Sequence, residues 1–481
     1  MRWTNDQVAR ALGVALPTGL SSVARLAGVS IDSRTVGRGE LFFAIHGPSH
    51  DGHTFVAQSL VAGAGAAVVA QSRLGEYAAE IREKLFAVPD TLAALQQLAR
   101  AIRREWGGRV AAVAGSVGKT TTKEILAALV AARFRTLKTE GNLNNEYGLP
   151  LTLAKLEPEH EAAVVELGMS RRGELARLTQ IAEPQVGLIT RIAIEHLEFF
   201  ASLDEIALAE RELIENLPGR ETVAVLNADD PFTAQFAGFA PGRVVTFGLQ
   251  ARADFRVEAI EDLGAEGSEF TFVAPEGRAK LKLSLVGRHN VANALAALAA
   301  ASVWGIGAKE AAEVLPHMKP AAMRGEVLRF EEGFTVINDS YNSSPTAMAS
   351  VIDLLANTPG YRRRILVAGE MLELGPASAE LHREAGRYAA AKKLDYVIAV
   401  QGDASEIVKA AAAGGMSDNI LAFCLNSTAA GAFLAGFVQK GDLVLVKGSR
   451  GVRMERVIDA IRAKHALIDN GAGVPSAAEP H

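Results

Sequence analysis

The 481-residue chain is 49% hydrophobic and 22% charged, the balance of a globular protein with room for about three domains. A net charge of −5 provides no bulk basic field for nucleic acid, and a single cysteine, Cys424, excludes an intramolecular disulfide or a cysteine-rich metal site. No apolar tract matches a bilayer span, and "MRWTNDQVARALGVAL" lacks a secretory apolar core, so a soluble, cytoplasmic protein without membrane insertion is expected.

Residues 1–88 read as a small α/β unit. A turn at Gly37-Arg38-Gly39 precedes a strand at "LFFAI", "HTFVAQSLVAGAGAAVVA" reads as a helix and an apolar strand, and "LFAV" with Pro89 closes the unit. From 89 to 318 the pattern changes. "TLAALQQLARAIRREW" is amphipathic, "RVAAVAG" is an apolar strand, and "TTKEILAALVAARF" is a helix entered directly from a glycine loop. Further apolar strands at "EAAVVELG", "VGLIT" and "TVAVLN" alternate with helices, which predicts a parallel sheet. Residues 254–287 alternate at period two instead and predict an antiparallel flap on that domain.

Past Pro316–Pro320, residues 319–468 repeat strand and helix and predict a doubly wound, Rossmann-like domain. The glycine fingerprint of dinucleotide binding is missing, so no nicotinamide cofactor is expected. Arg362-Arg363-Arg364 is expected to be a solvated strand entrance, Cys424 in "ILAFCL" plain core, and the small, polar tail 469–481 disordered.

The chemistry is concentrated in "VAAVAGSVGKTTTKE". Gly115-Ser116-Val117-Gly118-Lys119-Thr120-Thr121 is a phosphate-binding loop in clipped form, with Val113 where the longer loop has its first glycine. Glycines let backbone N–H groups crowd around phosphate oxygens, and the following helix N-terminus adds a favourable dipole. Lys119 offers a point charge to the β/γ-phosphates, and the Thr120 hydroxyl can hold Mg²⁺. Such a site needs an acidic anchor at a second strand end, which Glu166 supplies after "AAVV". A guanine-reading Asn-Lys-x-Asp run is absent, so ATP is the expected nucleotide. Asn142, Asn144 and Asn145 offer amide groups in a Gly/Pro-punctuated loop, which a plain polar turn would also explain. His196 stands just beyond an apolar strand, a place where a lone histidine is more often structural than a ligand.

Together the runs "AGSVGKTTTKE", "GNLNNEYGLPLTL", "VVELGMSRRGEL", "EHLEFFASLDEIA", "GRHNVANALAAL", "MRGEV", "NDSYNSSP", "EMLELGPASAELHREAG" and "VKGSRGVRMERV" resemble, in their order, the Mur ligase family of ATP-dependent amide-forming enzymes. The resemblance covers nearly the whole chain. It implies an N-terminal domain holding a UDP-sugar, a central ATPase, and a C-terminal domain receiving the incoming amine. By motif it points to Ser33 and Arg34 near the nucleotide-sugar, Asn293 on the adenine side and Arg324 near the phosphates. It likewise makes Asp339 a nucleotide-side acid and places His196 beside a second metal. Lys447, Ser449 and Arg450 in "VKGSRG" are candidates for the incoming-amine side, with a capped loop as the alternative.

The style of "ELG…H" and "KGSRG…RME" implies a UDP-muramoyl tripeptide as carboxylate substrate and D-alanyl-D-alanine as amine, with ATP and Mg²⁺. A monomer is the default expectation, since no readable motif of the sequence encodes an oligomeric state. One departure stands out: most of the family carries a carbamoylated lysine after the histidine, and the alignment puts Glu210 in its place. Glu210 is therefore expected to supply that negative charge directly, unless it is a solvated helix residue. Rival readings are a Mur-type ligase with a different amino acid, a folylpolyglutamate synthase, or a P-loop ATPase acting as a switch.

Overall fold

The computed structural model describes residues 3–47, 50–195, 197–250 and 252–468; His196 and the tail 469–481 lie outside the described residues. Three sheets organise the described residues into three α/β domains. The first sheet is four-stranded and parallel, in the sequential order Val29–Ser30, Leu41–Phe43, Ala66–Ala70, Leu85–Val88. Its middle strands are buried up to the half-buried Ala70, which is why they read as continuous apolar runs.

The helix Thr91–Trp106 starts at Asp90, whose side chain accepts from Ala93 N–H at 2.9 Å, and stops at Gly107 with φ 70°. Its apolar face (Ala94, Leu95, Leu98, Ile102) enters a single cluster with Val8, Leu41 and Phe43 of the first sheet region and Val110, Val165 and Leu178 of the second. Thr91 Oγ1 donates to Ala44 O at 2.9 Å, and Gln96 Nε2 donates to Glu146 O at 3.0 Å. This helix, assigned from its sequence to the central domain, packs on both.

The central sheet has nine strands. Val223–Asn227, Val186–Ile189, Arg109–Ala114, Ala162–Glu166 and Thr136–Lys138 lie side by side and parallel. Their carboxyl ends share one edge, where ligands bind in open α/β sheets. The period-two segment is antiparallel as expected, over Phe255–Asp262, Ser268–Ala274 and Gly277–Leu283. It is attached to the central sheet as its continuation, because Phe255 and Arg256 pair in parallel with Phe247 and Gly248.

The third sheet has the order Glu326–Arg329, Thr335–Asp339, Asp442–Lys447, Arg363–Gly369, Tyr396–Val400, Leu421–Cys424, parallel except for the first pair. Two expectations are corrected here. Arg363 is no solvated entrance: it forks onto the fully buried Asp442 (2.8 and 2.6 Å) and lies over the Phe437 ring at 4.5 Å. Cys424 is not plain core but sits half-buried at the end of the edge strand, where partial burial raises its thiol pKa.

Candidate active site

The strand Arg109–Ala114 delivers the chain to Gly115 at φ 117°, and Gly118 follows at φ 91°. A Cβ at Gly115 would lie 2.3 Å from Thr190 Oγ1, and one at Gly118 would lie 2.4 Å from Asn293 Oδ1. Only glycine lets the backbone turn this close to its walls. The helix Lys119–Ala131 then begins with no side-chain cap, leaving its first N–H groups for an anion. Gly118→Ala should raise the dissociation constant for ADP about tenfold or more, since left-handed strain costs about 1–3 kcal/mol before any clash. Calorimetric titration with an unchanged constant would refute this view of the turn.

Lys119 Nζ donates to Gly115 O at 2.5 Å and Ser116 O at 3.3 Å, and stands 3.6 Å from Glu195. Burial pulls its pKa down, but the carboxylates of Glu195, Glu210 and Glu166 outweigh this and hold it above the ordinary lysine value. Glu210 is 2% exposed and its Oε2 accepts from Gly115 N–H at 2.8 Å. It belongs to the buried face of the helix Leu203–Glu215, which Ser202 caps by accepting from Glu205 N–H at 3.3 Å. The solvated-residue alternative for Glu210 is thereby excluded.

Glu166 ends its strand fully inside, with Oε1 accepting from Asn144 Nδ2 at 2.8 Å. Its Oε2 is buried and has no hydrogen-bond partner among the described residues. A carboxylate oxygen left this way is costly unless a cation joins it. Among the described residues no cluster of three or more His, Cys, Asp or Glu is set to hold a metal. Mg²⁺ requires no such cage, since it retains waters and takes one or two carboxylates plus phosphate oxygens. The orphaned oxygen, with Thr120 at the loop, fits that ion.

A cleft of about 940 Å³ opens beside the loop and brings together Ser116, Val117, Gly118, Thr121, Asn142 and Asn293 with Arg324, Asp339, Lys447, Ser449 and Arg450 of the third domain. Arg324 lies over the Tyr341 ring at 4.1 Å. Lys447 and Asp339 face each other across parallel strands, and Lys447 Nζ donates to Asp339 Oδ2 at 2.5 Å and to Asn342 O at 2.9 Å. Ser449 is 3% exposed and its hydroxyl accepts from Leu372 N–H at 2.9 Å, while Arg450 reaches Glu455 at 3.1 Å.

Other candidates are placed differently. Asn144 faces Glu166, and Asn145 Oδ1 accepts from Tyr147 and Gly148 N–H, a local turn. Ser33 and Arg34 are outside the cleft lining, and Arg34 pairs with Asp32 at 2.8 Å, a bond that holds the Asp32 carboxyl below its usual range. The sequence reading missed Glu195 beside Lys119, and also Asn227, Asp229, Asp230, Phe247 and Leu249 in the cleft wall. The signal was there in "LNADD", a polar run at the carboxyl end of a parallel strand.

Three family models match the chain: "Mur ligase family, catalytic domain" over residues 25–103, "Mur ligase middle domain" over 113–301 and "Mur ligase, glutamate ligase domain" over 323–450. The UDP-N-acetylmuramoyl-tripeptide–D-alanyl-D-alanine ligase of Bacillus subtilis is 35% identical over 431 residues, covering 90% of this chain and 92% of the relative. The crystal structure of MurF from Acinetobacter baumannii superposes with a TM-score of 0.86 at 30% identity, covering 96% of this chain and 99% of that one. MurF from Thermotoga maritima in complex with ADP gives 0.78 at 30% identity, covering 91% and 97%.

Proposed function

The chain belongs to the Mur ligase family, and on that premise we propose that it joins D-alanyl-D-alanine to the terminal carboxylate of UDP-N-acetylmuramoyl-tripeptide, using ATP, in peptidoglycan precursor synthesis. The observation that carries the chemistry is the single cleft in which the phosphate loop faces the third domain's basic residues. A carboxylate is a poor electrophile, because its charge is delocalised and its leaving group would be oxide. Transfer of the γ-phosphoryl group makes it an acyl phosphate. The dipeptide amine then attacks the carbonyl carbon, the C–O bond to phosphate breaks, and the amine's proton leaves with solvent or a base.

Lys119 and Arg324 neutralise charge on the transferring group, while Gly115, Ser116, Val117, Gly118 and Thr121 cradle the phosphates. Asn293 and Asp339 belong to the nucleotide side. Thr120 and Glu166, with His196 on the strength of the resemblance, would hold Mg²⁺, which when bound shields phosphate charge and polarises its oxygens. Glu210 braces Gly115 and adds negative charge beside the metal residues. Lys447, Ser449 and Arg450 serve the incoming amine, Ser33 and Arg34 the nucleotide-sugar, and Asn142, Asn144 and Asn145 the loop between. Closure of the cleft protects the acyl phosphate from water.

The domain limits that fit this division are 1–88, 89–318 and 319–468. Among the described residues no helix is long and apolar enough to cross a membrane, which suits an enzyme of small-molecule substrates. A cytoplasmic monomer is the simplest form of it. Coupled phosphate release should proceed only with both the muropeptide and D-alanyl-D-alanine present. Equal turnover without either acceptor would instead identify a switch ATPase.

A further inference from the structure

Glu166 can serve a cation only if its backbone is held firmly at the strand end, and two buried residues that this mechanism leaves unused hold it there. The edge strand Thr136–Lys138 pairs with Ala162, Ala163 and Val164 and then stops. Past that point Thr139 N–H still donates to Val164 O at 3.1 Å, but no strand remains to receive Glu166 N–H. The Thr139 hydroxyl receives it instead, at 3.0 Å, from a side chain with no exposure. On the opposite side Leu167 N–H donates to Val113 O at 2.9 Å, so the backbone around Glu166 is fixed on both flanks.

Thr139 is itself held by a charge. Lys123, one turn into the helix that follows the phosphate loop, is 1% exposed, and its Nζ donates to Thr139 O at 2.8 Å. Its counter-ion is Glu124 at 2.6 Å, which also pairs with Lys138 of the edge strand. Burying an ammonium costs several kcal/mol before pairing, and an apolar side chain of like length would fill the space without that cost. The charge is therefore accounted for by what it grips: it ties the loop helix to Thr139, which in turn holds the backbone of Glu166.

We propose that Thr139 and Lys123 are positioning residues that aim the free Glu166 oxygen at the divalent cation of the nucleotide complex, an inference resting on the ligase reading above. Partners of this kind behind a metal ligand are typically worth 10–100-fold in metal affinity. The test uses Mn²⁺ as the probe, with free Mn²⁺ read by electron paramagnetic resonance in the protein–ADP complex. Thr139→Val should weaken Mn²⁺ binding about tenfold, Thr139→Ser should restore it to near wild type, and Lys123→Met should match the valine variant. ADP affinity in chelator should be unchanged in all three.

Wild-type Mn²⁺ affinity in Thr139→Val overturns the inference, even if that variant melts earlier, because both residues would then be packing alone. Equal losses in the serine and valine variants overturn it as well. Should Lys123→Met fail to fold, the Thr139 pair still decides. A wild-type protein that binds Mn²⁺ and ADP but ligates nothing would sink the functional reading while leaving this one standing.

Discussion

Lys119→Ala will lower kcat/KM for ligation by about 10³-fold or more, the scale of losing a charge that acts on a transferring phosphoryl group. The far-UV spectrum should be unchanged, because this side chain fills no apolar core and its contacts are two loop carbonyls and the Glu195 carboxylate. Its absence also leaves Glu195, Glu210 and Glu166 without the cation that all three act upon. Lys119 itself adds no pH dependence near neutrality. Its folded-state pKa is raised, so its stabilising charge is fully present below the unfolded value of about 10.4 and is lost only as pH rises through the folded one. Retention of near-normal turnover by the alanine variant would remove the loop from the mechanism.

Glu210→Gln is the second large effect expected, about 100-fold in turnover at limiting Mg²⁺. Glutamine keeps the length and an oxygen for the Gly115 N–H, so the loss would report charge rather than geometry. Bicarbonate should not restore activity. The resemblance to the family implies a carbamoylated lysine at this place, but residues 156–279 contain no lysine that could take up the role. The structure gives the substitution a physical form: a carboxylate 2% exposed, bonded to the loop and acting on Lys119. An unaltered Mg²⁺ requirement in the variant would reduce Glu210 to a brace for the turn.

Much of this was legible from sequence because buried parallel strands announce themselves as apolar runs between glycine and polar ends. The strand-loop-helix around Lys119 and the acid at Glu166 follow from local spacing alone. The hairpin of Glu326–Arg329 and Thr335–Asp339 was not anticipated, since its short strands carry charge and its pairing to Asp442–Lys447 spans more than a hundred residues. The same distance hid the Lys447–Asp339 bond. Nothing in the sequence marks Lys123 or Thr139, since charged and hydroxyl side chains are usually exposed; only their burial reveals their task. Asn145 shows the converse, where a polar residue in a motif spends its oxygen on its own turn.

The helix Thr91–Trp106 has a consequence for how the molecule comes apart. Its apolar face belongs at once to the first domain and to the central one, within a continuous core. The first two domains should therefore melt as one cooperative unit. A fragment beginning after residue 88 would leave Ala94, Leu95 and Leu98 bare on one side and should be prone to self-association. The third domain packs most of its interior in clusters of its own, on the two faces of its sheet, and can unravel or refold on its own schedule. During synthesis the ribosome must therefore release the central sheet before the N-terminal one is secure, whereas the third domain closes most of its core from its own residues.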